Sequence, residues 1–241
     1  MASFQNDSPS DEVAVPPNTD NEAAAAAKNL EKRPKPTQPD GSTGAELSDF
    51  SHVATTHWLS SGNYTVGIDI PAGKFVAVAK SGFGNLFCYT GDVTVVSEFM
   101  GYAFDESIIT GTLGGIELEE GSVVTVTGEL ELALHYSKVT SDVTGRSYGN
   151  VVGVTLGVGT YTAGVDFEPG TYNISAVSGE GGITSSNGFR NGIDEGFFGY
   201  SSAYPLNTSF VQNVDLYEGV KLTISGSLEV ALNPEIKAPS S

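Results

Sequence analysis

GNYTVGIDIPAGKF, residues Gly62 to Phe75, returns 97 positions later as GTYTAGVDFEPGTY, residues Gly159 to Tyr172. Gly62, Tyr64, Thr65, Gly67, Asp69 and Gly73 recur as Gly159, Tyr161, Thr162, Gly164, Asp166 and Gly170, and the aromatic Phe75 recurs as Tyr172. In the first copy Tyr64, Val66, Ile68 and Ile70 alternate with Thr65, Gly67 and Asp69, the period of a half-buried strand. Pro71-Ala72-Gly73 signals a turn, after which Phe75, Ala77 and Ala79 resume the alternation. The pattern predicts a β-hairpin. Between the copies the proline slides, to Pro169, while the glycine stays. Gly73 and Gly170 are therefore expected to serve the turn, where a positive φ suits glycine. Asp69 and Asp166 are expected to accept backbone N–H groups of the same tight turn.

Two further blocks repeat. Phe99-Met100-Gly101-Tyr102 matches Phe197-Phe198-Gly199-Tyr200 at an offset of 98, so one residue has been inserted between the blocks. LEEGSVVTVTGELELAL, residues 118–134, matches LYEGVKLTISGSLEVAL, residues 216–232. In it Leu130, Leu132 and Leu134 face one way and Glu129 and Glu131 the other, as an amphipathic closing strand requires. Thirty glycines and eleven prolines among many Val, Thr, Tyr and Phe residues indicate an all-β chain with many turns. The expected architecture is two tandem small antiparallel β-sandwich or barrel modules, 58–134 and 155–233, with a linker at 135–154 and a tail at 234–241. A module this small buries only about 60% of its extended-chain surface, so packing the copies together would help.

Residues 1–57 read as an arm, mostly extended and punctuated by Pro16, Pro17, Pro34, Pro36 and Pro39. One short helix is expected within it, about 20–33. Thr19 and Glu22 are spaced as a capping box, Ala23 to Ala27 with Leu30 are strong helix formers, and Lys32, Arg33 and Pro34 close it. A lone helix of about a dozen residues is marginal in water, so it calls for a partner. Lys28, Leu30, Lys32, Arg33 and Lys35 are the expected docking residues, a small basic island in an acidic chain.

The formal net charge is −18. Residues 58–134 carry 10 acids and 2 bases, and residues 155–232 carry 8 and 2. Surfaces this acidic repel phosphate backbones, so nucleic acid is not an expected partner. The single cysteine, Cys88, excludes an intrachain disulfide and a cysteine-based zinc site. No apolar run reaches the roughly 18–20 residues of a membrane span. The start MASFQNDSPSDE has no basic or apolar signal-peptide region, so no signal peptide is expected.

One string looks catalytic: Gly145-Arg146-Ser147-Tyr148-Gly149 fits GxSxG. A nucleophile elbow needs a strand before it, a helix after it and a histidine beside it. The string instead sits in the linker, and the histidines are only His52, His57 and His135. No phosphate-binding, zinc-protease or EF-hand motif is present. No enzyme, cofactor or metal site is expected. Trp58, Tyr102 and Tyr200 supply the alternative, an aromatic platform for a sugar ring.

The Tyr64–Phe75 and Tyr161–Tyr172 blocks, with the aromatic neighbourhood Phe87-Cys88-Tyr89, resemble a short β repeat. It is similar to the "DIPAGTY" or "DIAPGTY" repeat of lipoproteins and secreted proteins of Gram-positive bacteria and their phages. The chain departs from it at Lys74-Phe75 and Phe167-Glu168-Pro169. The resemblance implies an exposed β module and transfers no catalytic residue. Together these readings lead to an expected structural or display protein on the exterior of a bacteriophage virion, as a capsid decoration would be. Its arm would dock on the shell or on neighbouring subunits, homo-oligomers included. The alternative is a secreted or cell-envelope module that binds a cell-surface glycan.

Overall fold

The computed structural model describes residues 56–101, 110–148, 151–199 and 208–234. The expected arm helix with Lys28, Leu30, Lys32, Arg33 and Lys35 lies outside the described residues, as do Tyr102 and Tyr200. Within them the chain is all-β, and no helix is long and apolar enough to cross a membrane.

The first repeat supplies β1 (Thr56–Leu59), β2 (Gly62–Thr65), β3 (Gly73–Ser81), β4 (Phe83–Thr90), β5 (Val93–Gly101), β6 (Thr112–Leu118), β7 (Val123–Val126) and β8 (Glu131–Val139). The second supplies β9 (Val154–Leu156), β10 (Gly159–Thr162), β11 (Gly170–Ser178), β12 (Glu180–Ser185), β13 (Asp194–Gly199), β14 (Phe210–Leu216), β15 (Lys221–Ile224) and β16 (Glu229–Asn233). Each repeat has the same two antiparallel layers. They run β1-β8-β3-β6 and β2-β7-β4-β5 in the first, and β9-β16-β11-β14 and β10-β15-β12-β13 in the second.

Between its two layers each repeat holds one apolar core. Phe75, Leu118, Leu132 and Leu134 from one layer meet Tyr64, Leu86, Met100 and Val124 from the other. In the second repeat Tyr172, Leu216 and Leu232 meet Ile183, Phe198 and Leu222. Phe75 and Tyr172, the matched aromatics of the repeated stretch, are both at the centre of these cores. Burying a side chain of that size contributes about 1.5–3 kcal/mol.

The repeated stretch is not a hairpin. β2 ends at Thr65, and β3 begins at Gly73 in the other layer. The residues between form a corner. The Thr65 carbonyl accepts from both Ile68 N–H and Asp69 N–H, and the Asp69 carboxylate accepts from Thr65 N–H at 2.6 Å. This closes the chain on itself, with Gly67 at φ +88°, before a second ladder can form. Val66 and Ile70 bridge to each other and are both buried, so the apolar alternation continues across a turn. The second copy repeats it, with Asp166 accepting from Thr162 N–H at 2.7 Å and Gly164 at φ +86°.

Within the corner the positive φ falls on Gly67 and Gly164; Gly73, at φ +152°, and Gly170, which has no positive φ, open the next strand. What excludes a side chain there is close approach. A Cβ on Gly73 would sit 2.0 Å from the Lys138 carbonyl oxygen, and one on Gly170 would sit 2.8 Å from the Val151 side chain.

Candidate functional site

The two repeats meet edge to edge. β2, the edge strand of one layer in the first repeat, lies parallel to β14, the edge strand of a layer in the second. Gln212 N–H donates to the Ser61 carbonyl at 2.9 Å, and its side-chain amide donates to Ser60 Oγ at 2.6 Å. The backbones come so close that a Cβ on Gly62 would lie 2.8 Å from the Gln212 carbonyl oxygen. The join therefore unites two four-stranded layers into one of eight strands.

Beside this strand pair is a polar patch. Asn63 Nδ2 donates to the Gly192 carbonyl at 2.8 Å, and Thr125 Oγ1 donates to Asn63 Oδ1 at 2.9 Å. Asn63 and Thr125 are buried, although both are polar and stand on the outer faces of β2 and β7. The loop between β12 and β13, which has no counterpart of its length in the first repeat, covers the far end. Phe189 packs on Phe87 and Tyr89, with ring centroids 5.2 and 6.1 Å away. Arg190 lies 4.8 Å over the Tyr89 ring and pairs with Asp92 at 3.5 Å. Asp92 is fully exposed, so that ion pair adds little; the stacked guanidinium and the ring cluster carry this end.

The linker locks the other end, through the string that looked catalytic. Arg146 Nε and Nη2 make a two-pronged contact with the Asp69 carboxylate at 3.0 and 2.6 Å. Nη1 reaches Asp215 Oδ1 of β14 at 3.2 Å, and Nη2 also donates to Thr65 Oγ1 at 3.1 Å. The three side chains are only 9–11% exposed, so the charges are largely out of water and their pairing matters. Asp215 also accepts from Thr171 Oγ1 at 2.6 Å and from Tyr217 OH at 2.8 Å. Linker N–H groups of Thr144 and Gly145 donate to the carbonyls of Gly67 and Ile68, on the Asp69 corner itself. Tyr148 OH donates to Asn213 Oδ1 at 2.6 Å. Asn213 is the one described non-glycine residue at positive φ, in a β-bulge of β14.

One carboxylate on this seam is perturbed. Glu195, at the start of β13, lines the contact with Thr127 and accepts a backbone hydrogen bond from Gly128 of the first repeat. Burial first, then the charge of Asp194, pushes it up to about 7 against that hydrogen bond.

The residues singled out in the sequence are distributed as follows. Asp69 is in the clamp, whereas Asp166 caps a corner that no linker among the described residues covers, and Val165 beside it is 80% exposed. Trp58 stands exposed on β1, the outer strand of its layer. Ser147 is exposed on the linker, and His57 and His135 lie on β1 and β8. Among the described residues no group of three or more His, Cys, Asp or Glu is placed to hold a metal ion. Sequence reasoning missed Arg146, because GxSxG drew attention to its serine. It also missed Phe189, Arg190 and Glu195, which belong to the segment where the repeats stop matching. No protein-family model and no curated protein matches the chain.

Proposed function

We propose that this chain is a non-enzymatic structural or display protein built of two tandem β-sandwich modules. Its setting is the exterior of a bacteriophage virion, where the arm, residues 1–57, docks on the shell and the acidic modules face solvent. The observation that carries this reading is the joint. The most elaborate polar constellation of the described residues, Arg146 with Asp69, Asp215 and Thr65, is spent on fixing one repeat against the other. Its donors and acceptors satisfy each other, which suits a rigid spacer better than a reaction centre.

The test is incorporation. Virions assembled with the full chain should carry it, whereas a chain lacking residues 1–50 should stay folded by circular dichroism and be missing from the particles. Incorporation of the shortened chain would overturn the docking role. The exposed Trp58 favours a second reading, a secreted or cell-surface module that stacks on a glycan. Glycan-array binding that disappears in Trp58→Ala would decide for it.

A further inference from the structure

Among the described residues the internal joint uses one side of each repeat and leaves the complementary sides unused. In the first repeat β2 and β7 are engaged; their counterparts β10 and β15 in the second repeat are not. In the second repeat β13 and β14 are engaged, while their counterparts β5 and β6 are not. We propose that the unused sides join in the same way between molecules: β10 and β15 of one copy seat against β5 and β6 of the next, making a head-to-tail assembly.

The match can be followed residue by residue. At the joint, Ile193, Asp194, Glu195 and Val211 are covered by Gly62, Asn63, Thr125, Val126 and Thr127, and only about 10 Å³ stays open. In the first repeat the corresponding place is an open groove of about 270 Å³ between residues 95–98 of β5 and 113–117 of β6. The residues that would fill it are the counterparts of the covering set: Gly159, Thr160, Thr223, Ile224 and Ser225. Thr160 and Thr223 hydrogen-bond each other at 3.2 Å, as Asn63 and Thr125 do, but they are exposed where Asn63 and Thr125 are buried.

The edge strands match too. β6 has the bulge of β14 at the same register, with Gly115 at φ +72° where Asn213 stands at φ +56°. Gly114 occupies the place of Gln212, whose N–H makes the inner strand-to-strand bond. On the other side Gly159 keeps the place of Gly62, and the atoms nearest to a Cβ there belong to the Tyr161 ring, at 3.1 Å. β5 is a nine-residue strand with Val93, Val95 and Phe99 exposed, and Val95 lines the open groove.

The electrostatics differ from the inner joint. None of the described residues of these strands is an arginine; Asp166 of one copy would arrive near Glu117 of the next, the counterpart of Asp215. Lys74, paired with Glu117 as Thr171 is with Asp215, brings the cation. The Phe189 cluster has no counterpart, so the outer joint is weaker than the inner one and forms at high protein concentration. Because two different surfaces meet, the contact does not close in a dimer and yields rings or filaments.

Sedimentation velocity of the purified full chain, from micromolar to millimolar concentration, is the test, with electron microscopy of the largest species. The expected result is a concentration-dependent series of oligomers. Gly114→Pro, which removes the edge N–H, and Lys74→Glu should each leave a monomer. Val158→Asp, beside Gly159, should do the same from the other side. Mixing Gly114→Pro with Val158→Asp should restore a single heterodimer, since one intact surface of each kind remains. A chain monomeric throughout would overturn the proposal, as would oligomers that ignore Gly114→Pro and Lys74→Glu. The result does not depend on arm docking, because no shell is present.

Discussion

Glu195 is a carboxylate on the seam between two sheets, and its environment favours the neutral form. Burial is the main cause, the neighbouring Asp194 charge adds to it, and the Gly128 N–H opposes both. A carboxyl held up to about 7 in the folded chain, against 4.5 as its ordinary value, binds its proton more tightly folded than unfolded. Its contribution favours the fold below the unfolded value and is lost as pH rises from there to about 7. Glu195→Gln imitates the protonated form, so it should stabilise the chain by about 1–3 kcal/mol near pH 8 and have almost no effect near pH 4.5. Urea unfolding of both proteins at the two pH values measures the difference. His57 and His135, both held low mainly by burial, contribute a slope of the opposite sign. They are common to both proteins and drop out of the comparison. A stabilisation independent of pH would refute the argument.

Gly62 and Gly159 show what an edge strand acquires when a neighbour lies against it. Their backbones are alike, with φ +157° and +159°, but a Cβ meets the Gln212 carbonyl oxygen at 2.8 Å in one and the Tyr161 ring at 3.1 Å in the other. A partly exposed ring can move aside and a paired backbone cannot. Gly62→Ala should therefore lose about 1–3 kcal/mol more than Gly159→Ala, measured by urea unfolding at dilute concentration. Equal losses would mean that the strand pair does not constrain this position. The same comparison marks the limit of what was legible. Alternation and glycine spacing disclosed an all-β chain with a doubled unit, because period and turn chemistry are local. They could not disclose that β2 and β3 belong to different layers, since Val66 and Ile70 keep the apolar rhythm through the corner. Nor could they disclose the joint, whose central residues Gly62, Asn63 and Thr125 are small or polar and read as surface. Arg146 in a linker rich in Ser, Thr and Gly looks like any exposed cation until Asp69 and Asp215 are brought to it from 77 and 69 residues away.

Two separate cores connected by a linker would ordinarily unfold as two units, each at its own temperature. Whether this chain does so depends on the free energy stored between the cores, and Arg146 is the group most responsible for it. Its guanidinium touches the first repeat through Asp69 and Thr65 and the second through Asp215, with all three charged side chains nearly out of water. Removing it leaves two carboxylates without their shared cation, a loss of about 3–5 kcal/mol for a buried pair. Arg146→Lys keeps the charge but not the two-pronged fork, so it should recover only part of that loss. By calorimetry the parent chain is expected to unfold in one transition, because coupling of this size exceeds the difference between two similar cores. In Arg146→Ala the transition should split in two, the second repeat, with its Asp215 face uncovered, separating from the first. Asp166→Asn is the control, since Asp166 has the corner role of Asp69 without the arginine; it should lower the melting temperature slightly and leave a single transition. If Arg146→Ala also melts in one undivided transition, the strand pair and the Phe189 cluster couple the cores unaided, and the linker is merely a tether.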